Sequence, residues 1–206
     1  MKIFHLIGTN GPGGGVNSFV LDLTSQQVKR KNDVTVFSLM NDKNTKETIS
    51  HKFKSNGVKD FSFAKRSLFG ALFTIFKFRK ILKLASKNER IILNMHLKIS
   101  ELIGIASSIG LKNVVKVITF HSFYRNYKLQ NFIQEHFVDS YIAVSEESKE
   151  DLINNFHIKK DKVFRVYNGV DEEKIPKKTN VKNTSSLLYF LSAGRFTDQK
   201  NFTLSI

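Results

Sequence analysis

Two histidines and one run of glycines are the residues whose types and spacing could do chemistry. His96 in "IILNMHLKI" and His121 in "VVKVITFHSFY" each close an apolar, β-branched run, which places each just past the end of a strand. An imidazole there can hydrogen-bond a ligand or move a proton, although a lone strand-end histidine is more often a satisfied structural residue. The other four (His5, His51, His136 and His157) show no metal-ligand spacing. The chain also has no cysteine, so no zinc site, thiolate chemistry or disulfide is expected.

The glycines lie in "GTNGPGGGVNSF", Gly8 to Phe19, with five of them in eight residues directly after the apolar run "KIFHLI". Glycine costs conformational entropy and is kept where φ must be positive or where another group approaches the backbone closely. A glycine turn between a strand and a helix offers free N–H groups and the positive end of the helix dipole to a phosphate. Two familiar phosphate motifs fail. Gly8 and Gly13 have the first spacing of a P-loop, but Gly14 and Gly15 stand where Lys and Ser/Thr belong. Gly11 and Gly13 begin a dinucleotide fingerprint, but Val16 fills its third glycine position, and no acidic residue ends the second strand. A tight strand–helix crossing without a ligand is the plain alternative.

The elements that must position these residues follow from periodicity. Strands are expected at Lys2–Ile7, Asp33–Leu39, Val58–Phe63, Arg90–Met95, Val114–Phe120, Ser140–Val144 and Val163–Val166. Between them, helices are expected near Val16–Arg30, Thr45–Ser55, Ser67–Ser86, Ile99–Ile109, Tyr127–Phe137 and Glu146–Phe156. Strictly alternating strands and helices imply an α/β fold: a doubly wound, mostly parallel, Rossmann-like sheet with helices on both faces. That unit should occupy residues 1–170. A polar linker, "DEEKIPKKTNVKNTSS" (Asp171–Ser186), follows. Residues 187–206 then read as an eighth strand, Leu187–Ala193, and the opening of a second domain that stops almost as it starts.

A 41% hydrophobic content with 25% charged residues suits a chain that buries a real core. The opening apolar run is too short for a secretory signal and no later stretch has the length of a membrane span, so a cytoplasmic protein is expected. Lys and Arg outnumber Asp and Glu by 33 to 18, a net charge of +15 that attracts polyanions. Much of the surplus lies in "KRSLFGALFTIFKFRKILKLASK", Lys65–Lys87, which holds seven basic residues and no acidic one. On a helical wheel those seven share about half the circumference. Phe69, Leu72, Phe73 and Phe76 fall inside the basic arc, while Phe78 and Leu82 lie opposite it. Either a neighbouring loop covers these aromatics, or the helix lies on an anionic membrane with Lys77, Lys80 and Lys83 at the headgroups and Phe69, Phe73 and Phe76 dipping below them. Nucleic acid is not expected as a partner, because no recognised binding motif is present.

The strand followed by "GPGGGV" and an amphipathic helix resembles the start of GT-B glycosyltransferases of the large retaining family four. Later segments resemble that family in the same order. "TFHSF" is similar to its Thr-x-His segment, "SYIAVSEESKEDL" to its strand-and-Ser turn, "VYNGVD" to its Asn-Gly-Val-Asp segment, and "LSAGRFTDQKN" to the opening of its donor-side domain.

The resemblance implies transfer of a hexose from a nucleotide-diphosphate sugar to a glycan or lipid-linked acceptor with retained configuration, in cell-surface polysaccharide synthesis at the inner face of the membrane. His121 would be catalytic, hydrogen-bonding the transferred sugar. Gly14, Gly15, His96, Ser145 and Asn168 would line the substrate site, and Arg195 and Lys200 would hold the donor diphosphate, with no metal or cofactor. Ser145 should also cap a helix, with Glu147 closing a capping box. A chain with so little donor-side domain should be nearly inactive alone, and a separate donor-domain chain could complete it. The alternatives are a non-catalytic acceptor-binding or membrane-recruiting subunit of a split glycosyltransferase, and a nucleotide-binding regulator that would bind nucleotide without any sugar.

Overall fold

Seven strands, all parallel, form one sheet in the order β3-β2-β1-β4-β5-β6-β7. They are β1 (Lys2–Thr9), β2 (Asp33–Met40), β3 (Lys59–Ser62), β4 (Ile91–His96), β5 (Val114–Phe120), β6 (Ser140–Ala143) and β7 (Val163–Arg165). The helices between them are α1 (Gly15–Lys29), α2 (Ser50–Ser55), α3 (Leu68–Ala85), α4 (Lys98–Ser108), α5 (Lys128–Phe137) and α6 (Glu146–Asn154). This computed structural model describes residues 1–11, 14–40, 48–63, 68–121, 128–170 and 175, with the backbone alone at 68–69 and 128–130. The compact unit these elements build runs from Met1 to Asp171. The expected doubly wound α/β fold is present, with strand ends within about two residues of the periodicity reading. Helix α2 begins at Ser50 rather than Thr45, and residues 45–47 lie outside the described residues. So does the expected strand Leu187–Ala193.

Side chains alternate along a strand, and that alternation sorts the core into two layers. Phe4 and Leu6 of β1 join Phe37, Phe78, Leu82, Leu93, Met95 and Ile105 in the larger cluster, on the face that α3 and α4 cover. Ile7 of β1 joins Val34 and Val36 of β2 and Val20 of α1 on the opposite face. His5, between Leu6 and Phe4 in the chain, points to that second face with Ile7. On α1 the sheet-facing stripe is Asn17, Val20 and Thr24, spaced by three and four residues. Helix α4 sits close against its face. A Cβ built on Gly104 would lie 2.4 Å from Met95 Sδ, so only glycine lets the backbone come this near.

Strands β1 and β4 are neighbours, yet the helix after β1 covers one face and the helix after β4 covers the other. That is the point where the strand order reverses. In open α/β sheets the ligand-binding crevice lies at such a point, beyond the carboxyl ends of the strands.

Candidate functional site

Register brings three histidines together at this crevice. His5 pairs with Asn94 across β1 and β4, so His96, two residues on, projects from the same face. His96 pairs in turn with Thr119 across β4 and β5, and His121 stands two residues beyond that. The three rings therefore climb diagonally over three adjacent strands. His5 Nδ1 lies 3.0 Å from His96 Nε2, and His96 Nδ1 lies 2.9 Å from His121 Nε2. At the inner end, His5 Nε2 donates to Gln27 Oε1 of α1 at 2.8 Å. Phe19 of the same helix sets its ring edge-on against His121, with centroids 4.9 Å apart.

His5 and His96 have no solvent contact, whereas His121 is half-buried at the outer end. Burial penalises the charged imidazole. It pushes His5 down to about 4, opposed by the Gln27 hydrogen bond, and pushes His121 down to about 4. His96 falls well below the ordinary value through burial and then through its two histidine neighbours. All three are neutral at pH 7. A neutral His121 suits recognition of a hydroxyl and cannot offset the charge of a diphosphate. The rings meet in series, and among the described residues no group of three or more His, Cys, Asp or Glu could hold a metal ion.

The two helices that start at the crevice begin without a side-chain cap. Gly14 stands at the N-cap of α1 with φ +98°, and both Gly14 and Gly15 are exposed with nothing within 4 Å of a built Cβ. Leu97 stands at the N-cap of α4 with φ 71° and ψ 150°, a conformation that a bulky residue adopts only when its surroundings hold it there. Asn17 ties down the turn before α1 by donating to the carbonyls of Thr9 at 3.2 Å and Gly11 at 3.0 Å.

The other expected site residues are placed less directly. His96 is buried one hydrogen bond behind His121, so its contact with a ligand would run through that ring. Ser145 is the N-cap of α6, accepting from the Ser148 N–H at 3.1 Å. The third residue after that cap is Ser148, not Glu147, which corrects the capping-box expectation. Asn168 is exposed beyond β7, the edge strand. Arg195 and Lys200 lie outside the described residues, as does the side chain of Phe69. Three residues that build the site were not singled out by the sequence reading: His5, Gln27 and Phe19. The available signal was His5 itself, a polar residue inside a buried apolar strand, which needs a buried partner.

The glycosyltransferase family 4 model matches residues 13–174, most of the chain and nearly all of this unit. The chain belongs to Glycosyltransferase Family 4. Among curated proteins none matches the sequence. A glycosyltransferase from Rickettsia africae is 15% identical with a TM-score of 0.66, over 82% of this chain and 44% of that one. Anabaena HepE, solved in complex with UDP, is 16% identical with a TM-score of 0.62, over 83% of this chain and 45% of that one. The UDP-GlcNAc 2-epimerase of Methanocaldococcus jannaschii is 15% identical with a TM-score of 0.56, over 82% and 46%. This family 4 chain thus has the GT-B N-terminal fold and spans a little under half the length of these solved structures. Because the fold is shared with an epimerase, the fold alone does not choose the chemistry.

Proposed function

We propose that this chain supplies the acceptor-side half of a retaining glycosyltransferase that moves a hexose from a nucleotide-diphosphate sugar to a glycan or lipid-linked acceptor. The observation that carries the reading is the neutral, half-buried His121, set at the sheet's reversal point between two helix starts that no side chain caps. His121 would hydrogen-bond a hydroxyl of the transferred sugar, and the open backbone at Gly14 and Gly15 would meet the sugar or its diphosphate. Arg195 and Lys200 would offset charge on the departing diphosphate. Family membership supports transferase chemistry. The test is nucleotide release from nucleotide-sugars by the chain alone and with a donor-domain chain. Release should need both, and His121→Ala should lower it about 100-fold with the melting temperature unchanged. Wild-type release by His121→Ala would refute the role.

Helix α3 supports a membrane-bound acceptor and a cytoplasmic protein held at the inner leaflet, in cell-surface polysaccharide synthesis. Phe78 and Leu82 are buried, while Leu72, Phe73 and Phe76 are exposed on the same side as Lys77, Lys80 and Lys83. Arg79 leaves that side and donates to the carbonyls of Ser107 and Ile109 at the end of α4. Among the described residues no helix is long and apolar enough to cross a membrane, so α3 would lie in the interface. Flotation with vesicles containing anionic lipid should capture the chain and lose it on Phe73→Ser with Phe76→Ser. Equal capture of the double variant would remove the claim.

A further inference from the structure

Recognition of a sugar at His121 engages only the outermost of three linked rings. Behind it stand two imidazoles without solvent contact, in positions where a strand core would ordinarily hold Val or Ile. A neutral imidazole has one donor nitrogen and one acceptor nitrogen, so a ring-to-ring bond fixes each partner relative to the other. The Gln27 oxygen can only accept, which places the hydrogen of His5 on Nε2. His5 Nδ1 is then a bare lone pair, and His96 Nε2 must donate to it. His96 Nδ1 is bare in turn, and His121 Nε2 must donate to that. The one nitrogen of His121 not engaged by His96 is therefore Nδ1, and it can only accept.

We propose that Gln27, His5 and His96 are positioning residues that hold His121 as its Nε2–H tautomer, so that Nδ1 selects a hydrogen-bond donor, a hydroxyl, in preference to an anionic oxygen. The polarity is collective: reversing one bond reverses all three. This specificity rests on the proposed use of His121 toward a sugar, but the tautomer itself does not. Among the described residues the groups acting on the string are its own members, since His96 feels His5 and His121 while His5 feels Gln27.

The experiment is long-range proton–nitrogen NMR of the chain with labelled histidine at pH 7.5 and down a pH series, with no substrate present. The native chain should show Nε2 protonated and Nδ1 bare on all three rings. Gln27→Leu removes the terminal acceptor on a half-buried helix position, and His121 should become a mixture of tautomers. Gln27→Glu keeps the acceptor and adds charge. It should preserve the tautomer and raise by about one pH unit or more the point at which the string takes its first proton. A protonated Nδ1 on native His121, or an unchanged His121 tautomer in folded Gln27→Leu, would overturn the proposal. If Gln27→Leu does not fold, Gln27→Glu decides through the tautomer: a carboxylate can only accept, so His121 must keep its hydrogen on Nε2, and a protonated Nδ1 in that variant would overturn the proposal. Failure of the transfer assay would leave these spectra intact, so the two readings fall separately.

Discussion

Helices α1 and α4 begin in one way and helix α6 in another. At α6 a side chain closes the first turn, with Ser145 Oγ accepting from the Ser148 N–H at 3.1 Å. At α1 and α4 the same position is held by Gly14 and Leu97, both at positive φ and neither supplying a cap. The open pair flanks the reversal point of the sheet, and the closed helix lies between the last two strands. Every helix start leaves donors that something must satisfy. At α6 the helix's own serine satisfies one of them; at α1 and α4 no side chain does.

Acid should separate the two regions most. His5 is neutral when folded, with a value of about 4, but takes a proton near 6.5 when unfolded. Below 6.5 the unfolded chain therefore binds more protons. The stability His5 contributes is complete above that pH and is lost as the pH falls from 6.5 toward 4, about 3 kcal/mol over the window. Glu147, beside the Ser145 cap, is held below the ordinary carboxylate value by its own backbone N–H and by Ser145, so it stays ionised over most of the same range. Denaturant melts at stepped pH, with and without His5→Gln, check this; a flat native profile would break the contrast.

Gly14→Val should cost about 2 kcal/mol, because a β-branched residue is strained at φ +98° whatever space surrounds it. Loss of transfer in that variant mixes strain with any clash against a ligand. Ser145→Ala should cost about 1 kcal/mol in a thermal or denaturant melt while leaving transfer unchanged. A fall in transfer with the melt unchanged would instead put Ser145 in contact with substrate. Gly15→Ala sharpens the comparison with the smallest change in stability, within about 0.5 kcal/mol, since a methyl there meets nothing within 4 Å. Transfer should nonetheless fall about tenfold if a ligand lies against this turn, and an unchanged rate would mean the turn is open for no ligand.

What could be read in the sequence was what is decided locally. The strands and helices followed from periodicity, and Ser145 announced its cap because its partner is three residues away. Leu97 gave no warning, since leucine is not a residue that favours positive φ. His5 was visible as a polar residue in "KIFHLI", but its partners stand 91 and 22 residues away: the register of β1 on β4 brings His96 within reach, and the packing of α1 on the sheet brings Gln27. Charge placement on α3 was legible except at Arg79, whose tertiary partners at the end of α4 draw it off the exposed face.

The position of β1 in the middle of the sheet has a consequence for how the chain is made. It is synthesised first and can be flanked on one side as soon as β2 exists, but its other flank stays bare until β4 emerges, since Lys2 pairs with Ile91. Over that interval an apolar parallel strand has a vacant edge open to mispairing or to a chaperone. His5 has no ring to bond until the same moment, so its withdrawal from water can come no earlier than the pairing of β1 with β4, and His121 joins the string only once β5 has followed.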